Sequence, residues 1–62
     1  MRIGIDMMGG DYAPGSVING AILARESLPD DVDIVLIGDQ DILARYSEEN
    51  HLDISGLSFI HT

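Results

Sequence analysis

Ile34-Val35-Leu36-Ile37 is a run of four aliphatic residues with no polar interruption, and three of them are β-branched. A strand with one wet face alternates apolar with polar; a strand that does not alternate is covered on both faces, which points to a parallel sheet with helices packed on it. The run is too short to be a buried helix, and turn formers bound it, Pro29-Asp30-Asp31 before and Gly38-Asp39 after. The flanking segments supply what such a strand needs. Arg2 to Asp6 reads as a short strand and Met7 to Ala13 as a loop. Pro14 suits the first turn of a helix, where its missing N–H would have no partner anyway. From Pro14 to about Leu28, the residues Val17, Ile18, Ala21, Ile22 and Leu28 recur at helical spacing. The central strand is expected over Val32–Ile37. Asp39 is placed to cap a second helix running to about Asn50, with Ile42, Leu43 and Tyr46 turned to the sheet. Leu57 to His61 reads as a third strand. Strands alternating with helices at this spacing give βαβαβ, an α/β fold with right-handed crossovers.

This pattern implies more chain than 62 residues hold. Two helices cannot fully cover both faces of a three-stranded sheet, and a chain of this size buries only about 60% of its unfolded surface. Residues 1–62 are therefore expected to be the N-terminal part of a larger α/β domain; a miniprotein completed by self-association is the alternative. Cysteine is absent, which removes disulfide staples and thiolate chemistry and favours a reducing compartment. No apolar stretch approaches the roughly 20 residues of a membrane helix, and the short run Ile3-Gly4-Ile5 before Asp6 is no signal peptide. A cytoplasmic location is expected.

Eleven acids against three arginines and no lysine give a net charge of −8, which argues against nucleic acid or an anionic membrane surface as a direct partner. The charge is uneven. Residues 1–29 carry Asp6, Asp11 and Glu26 against Arg2 and Arg25, a balance of −1, so the remaining residues carry −7. An anion meets less repulsion in the first half.

Ligands of open α/β sheets bind beyond the carboxyl ends of the strands, so the stretches after Asp6, Ile37 and His61 are the candidates. Only the first is distinctive. Gly9-Gly10 lets the backbone turn tightly and lets a ligand approach its amides, and the helix that follows presents N–H groups with partial positive charge, an arrangement that can hold phosphate. The same pair could simply reverse the chain. Asp6 and Asp11 flank the loop; Asp11 could cap the helix or orient a substrate, while two carboxylates without a histidine are a weak magnesium site, and no metal is expected. A phosphate here would need cations from elsewhere, since no arginine of this chain is obviously placed beside the loop. Arg25 more naturally covers apolar surface with its stem. His51 and His61 each lack a neighbouring nucleophile or carboxylate, and Met7-Met8 suits gap-filling in a core. Asp39 sits where a ribose-binding acid would in a dinucleotide fold, but Gly9, Gly10 and Gly15 do not reproduce the G-x-G-x-x-G spacing.

The stretch Ile5-Asp6-Met7-Met8-Gly9-Gly10-Asp11-Tyr12-Ala13-Pro14 closely resembles the opening signature of the PlsX family of phosphate acyltransferases, I-D-x-M-G-G-D-x-A-P after a first strand. Gly20-Ala21 and Leu36-Ile37-Gly38-Asp39 extend the resemblance, with Ile37 where the family often has valine. The resemblance implies the start of a parallel, doubly wound three-layer sandwich similar to isocitrate dehydrogenases and phosphate acetyltransferases. It also implies transfer of a fatty acyl group from acyl carrier protein to inorganic phosphate, giving acyl phosphate for a membrane acyltransferase downstream. A homodimer without a tightly bound cofactor is implied as well, cytoplasmic, with peripheral membrane association left open. On this reading Asp6, Gly9, Gly10, Asp11, Ala13 and Pro14 form part of the phosphate cradle, and the catalytic residues are not among those that can be carried over. Another phosphate- or nucleotide-binding α/β enzyme, or a small acidic module without enzymatic activity, are the alternatives.

Overall fold

The computed structural model describes residues 1–10 and 13–62. The order of elements is β1 (Arg2–Asp6), α1 (Gly15–Ser27), β2 (Asp33–Gly38), α2 (Gln40–Glu49) and β3 (Ser58–His61). The three strands form one parallel sheet in the order β1-β2-β3, which places the aliphatic run in the centre. The expected βαβαβ order and parallel sheet are thus observed. Boundaries differ from the sequence reading by a residue or so. Pro14 stands just outside α1 as its N-cap residue rather than inside the first turn.

Both helices cover the same face. Ile34 and Leu36 are two residues apart and so share a side of the sheet. One buried cluster joins them to Ile18 and Ala21 of α1, Leu43 of α2, and Met7. Two successive right-handed crossovers in a 1-2-3 strand order require this arrangement. Val35 and Ile37 face the other way, where Ile37 leans over Gly4 of β1: a Cβ on Gly4 would lie 3.2 Å from Ile37 Cδ1. On this second face Ile60 of β3 is exposed. The amino ends of the three strands are tied across it by charge, as Arg2 Nε meets Asp33 Oδ2 at 3.1 Å and Ser58 Oγ donates to Asp33 Oδ1 at 2.6 Å. The Ser58 hydroxyl, and after it Arg2, hold the Asp33 carboxyl below the ordinary aspartate range.

α1 buries Ile18 and Ala21 and half-buries Val17 and Ile22, as the spacing anticipates, but leaves Leu28 partly exposed beyond its last turn. Arg25 closes that end. Its guanidinium donates to the carbonyl oxygens of Leu28, Pro29 and Val32, so it fixes the turn into β2 rather than only covering apolar surface. α2 ends in a Schellman turn: His51 N donates to Glu48 O and Leu52 N to Ser47 O, with His51 in the left-handed region at φ 54°. No helix among the described residues is long and apolar enough to cross a membrane.

Candidate functional site

The three carboxyl ends of the strands form one edge. The junction from β1 to α1 is the long one, residues 7–14, and begins with an Asx turn: Asp6 Oδ1 accepts from Met8 N at 2.9 Å, and Asp6 O accepts from Gly9 N at 3.2 Å. Aspartate is suited to this because its short side chain reaches an amide two residues on. The Asp6 carboxylate therefore shapes the loop. Gly10 follows at φ 93°, a conformation that costs a residue with a Cβ about 1–2 kcal/mol, and the space around its missing Cβ is open. Gly9 has no such constraint, since a Cβ there would meet Asp6 O at an ordinary 3.4 Å. Ala13 and Pro14 are half-buried and lead directly into α1. Asp11, the remaining residue of the expected cradle, lies outside the described residues. Pro14 gives α1 no side-chain cap, and the first turn contains no acidic residue.

The junction from β2 to α2 is short and closed. Asp39 Oδ1 accepts from Asp41 N at 2.8 Å and Ile42 N at 3.3 Å, so it is the N-cap that the sequence indicates. The first amide of the helix, Gln40 N, donates to His61 Nδ1 at 3.0 Å. His61, isolated in the sequence, has its partner 21 residues away at the start of α2. Thr62 N donates to Gly38 O at 3.0 Å and continues the β2–β3 pairing past the last strand residue.

Two close approaches connect these junctions, and each depends on a glycine. Met7, fully buried, lies over Gly38 so tightly that a Cβ on Gly38 would stand 2.8 Å from Met7 Cγ. Met8 is half-exposed, so only the first of the paired methionines serves the core. The Tyr46 hydroxyl of α2 reaches the first turn of α1, where it accepts from Asn19 Nδ2 at 3.0 Å and lies 2.8 Å from the position of a Gly15 Cβ. Tyr46 thus binds helix to helix, beyond its expected contact with the sheet. A groove between Arg25 and the α2–β3 connection, lined by Ile22, His51, Leu52, Asp53 and Leu57, lies at the opposite, amino edge of the sheet. Its one arginine is engaged by three carbonyls, which leaves the carboxyl edge as the better place for an anion.

The whole chain, residues 1–62, matches the family described as "Fatty acid synthesis protein". The chain belongs to that family. Among curated relatives, the phosphate acyltransferase of Gloeothece citriformis is 43% identical over 60 residues, covering 97% of this chain and 16% of its own length. That of Thermoanaerobacterium thermosaccharolyticum is 42% identical over 62 residues, all of this chain and 17% of the relative. The phosphate acyltransferase of Gloeobacter violaceus reaches 60% over 38 residues, 61% of this chain and 11% of its own. The resemblance read from the β1–α1 loop therefore holds across the chain, which spans about a sixth of the length of the first two relatives. Within this segment the glycine-bearing loop after β1 is the part with the most distinctive sequence. Nothing local in the sequence marks Gly38, Gly15 or His61, because the atoms that give them their roles come from residues 21 to 31 positions away.

Proposed function

We propose that this chain is one segment of a larger phosphate acyltransferase, which moves a fatty acyl group from acyl carrier protein to inorganic phosphate, and that the β1–α1 junction forms part of the phosphate cradle. The observation that carries the reading is the junction itself: an Asx turn at Asp6, Gly10 at φ 93° and a helix whose N-cap residue is a proline without a capping side chain. Backbone amides and a helix N-terminus favour a bound anion without any cationic side chain. Relatives named phosphate acyltransferase, matching this chain along nearly its whole length, supply the reaction class.

In the reaction, a phosphate oxygen attacks the thioester carbonyl carbon, charge gathers on the carbonyl oxygen, and the carbon–sulfur bond breaks to release the carrier thiol. The protein's task is to hold two reactants in contact and to stabilise that oxygen. Asp6 sets the loop, Gly9 and Gly10 let phosphate approach the main chain, and Ala13-Pro14 lead the backbone into α1. Asp11 is assigned to the cradle on sequence alone. The cations that balance phosphate beside these acids come from other parts of the protein. The sandwich is completed by further helices on the face of Val35, Ile37 and Ile60, and the protein works as a cytoplasmic homodimer without a tightly bound cofactor, passing acyl phosphate to a membrane enzyme. The acidic surface of residues 30–62 is not where an acidic carrier protein docks.

The test is phosphate-dependent release of free acyl carrier protein from its acyl thioester by the complete protein. Acyl phosphate formed in proportion to added phosphate supports the assignment; release independent of phosphate rejects it.

A further inference from the structure

We propose that Asn19-Gly20 is a deamidation site shielded by the fold, and that the Tyr46 hydroxyl of α2 holds the shield in place. The chain has two asparagines, Asn19 and Asn50, and only Asn19 is followed by glycine. In deamidation the main-chain nitrogen of the next residue bonds to the asparagine Cγ and the Cγ–Nδ2 bond breaks. Nδ2 leaves as ammonia with the proton that the attacking nitrogen gives up, and a cyclic imide remains. Water then opens one or other carbonyl–nitrogen bond of the imide, giving aspartate or isoaspartate. One water is consumed and one ammonia released, with no oxidant or reductant. Gly20 favours the attack because it has no Cβ to crowd its nitrogen. Asn50 is followed by His51, whose side chain hinders the same step.

Both reacting groups are occupied in the folded protein. Gly20 lies inside α1, so its N–H is engaged in the helical ladder and its backbone is kept at helical dihedrals. Asn19 Nδ2 donates to Gly15 O and to Tyr46 Oη, each at 3.0 Å. Gly15 O can only accept, so the Asn19 amide has one orientation, with its NH2 toward the first turn of α1 and the Tyr46 hydroxyl. The leaving group is thereby tied to both helices at once. The tie from α2 is close, since the Tyr46 hydroxyl stands 2.8 Å from where a Gly15 Cβ would lie. Closing the imide requires the backbone between Asn19 and Gly20 to leave the helical conformation and the Asn19 side chain to swing away from Gly15 and Tyr46. Reaction therefore waits for the start of α1 to open and part from α2, a local event that needs no global unfolding. The products weaken the same joint. A carboxylate in place of the Asn19 amide has no N–H for Gly15 O, and isoaspartate adds a carbon to the main chain inside α1.

The test follows both asparagines over time in the complete protein, in mildly alkaline buffer with and without denaturant, by peptide mapping and mass spectrometry that distinguishes aspartate from isoaspartate. Asn19 should convert in denaturant, ahead of Asn50, and at least about 10-fold more slowly in native protein, the factor given by an opening free energy of about 1.4 kcal/mol. Equal rates in native and denatured protein would show that the fold shields nothing, and an Asn19 that survives in denaturant would remove the site. Tyr46→Phe keeps the ring against Gly15 and deletes only the hydroxyl. It should speed native conversion of Asn19 by about fivefold, the equivalent of one neutral hydrogen bond, and leave the rate in denaturant unchanged. An unaltered native rate in folded Tyr46→Phe would overturn the role of Tyr46. Should Tyr46→Phe fail to fold, the wild-type protein in low denaturant decides. Conversion that rises well below the global transition supports opening between α1 and α2, and conversion that only tracks global unfolding rejects it.

Discussion

The two strand-to-helix junctions solve the same problem in opposite ways. Each must bring the chain from the carboxyl end of a strand into a helix whose first amides have no partner within the helix. The β2–α2 junction uses the protein's own groups: Asp39 takes two amides, His61 takes the first, and the link between strand and helix is a single residue. The β1–α1 junction has a residue without a capping side chain at the N-cap and a glycine at φ 93° in an exposed loop. A helix end whose amides are taken by the protein's own side chains has little left for a ligand, whereas a glycine without a Cβ lets a ligand approach the main chain. Glycine pairs and capping aspartates are both common punctuation, so the difference between a turn and a cradle lies in which amides are already used.

The comparison is broken most directly at Gly10. Replacement by valine in the complete protein should lower phosphate-dependent turnover per folded molecule by more than about 100-fold, equivalent to roughly 2.7 kcal/mol of barrier. Activity measured beside circular dichroism of the same preparation checks this, and near wild-type turnover of folded protein would make the first junction as structural as the second. Gly38→Ala comes next. Its Cβ would collide with the fully buried Met7 between the junctions, and overpacking of this kind costs about 1–3 kcal/mol, read by denaturant unfolding of the complete protein.

Asp39→Ala should remove the cap of α2 at a cost of about 1 kcal/mol, and Asp39→Asn should change stability by less, with catalysis little altered in either. A 100-fold loss of turnover in Asp39→Asn at unchanged melting temperature would instead put the second junction in the active site. His51→Gly should stabilise by about 1 kcal/mol, because φ 54° is strained for histidine and free for glycine. A change below the precision of chemical denaturation would show that the Schellman turn relaxes to suit the histidine.

The smallest effect belongs to the amino edge, where Asp33 joins all three strands. Its carboxyl is lowered first by the Ser58 hydroxyl, so the folded protein binds this proton less readily than the unfolded chain does. The resulting stabilisation is present above the ordinary aspartate value near pH 4 and disappears as pH falls through the lowered folded value. Ser58→Ala should lower the neutral plateau slightly and make the acid limb of the stability curve less steep, because the stabilisation that falling pH removes is then smaller. An acid limb identical in mutant and wild type would show that Ser58 does not set the proton affinity of Asp33.

The element order was legible in the residues themselves because periodicity is local. The unbroken run Ile34 to Ile37 required a covered central strand, the spacing of Val17, Ile18, Ala21 and Ile22 required one helical face, and Asp39 before Gln40 marked a cap that is observed. The motif from Ile5 to Pro14 was likewise local, and it indicated the family. What the sequence could not determine were contacts between residues distant along the chain. Gly38 and Gly15 look like any other glycines until Met7 and the Tyr46 hydroxyl arrive from 31 residues away. His61 looks solitary until right-handed crossovers set β3 beside β2 and bring the start of α2 against its ring. Local pattern chooses the elements because each residue's own dihedral and solvation preferences act within a turn or two. Tertiary structure decides which polar groups remain unused, since that depends on which distant atoms come within hydrogen-bonding distance when the elements pack.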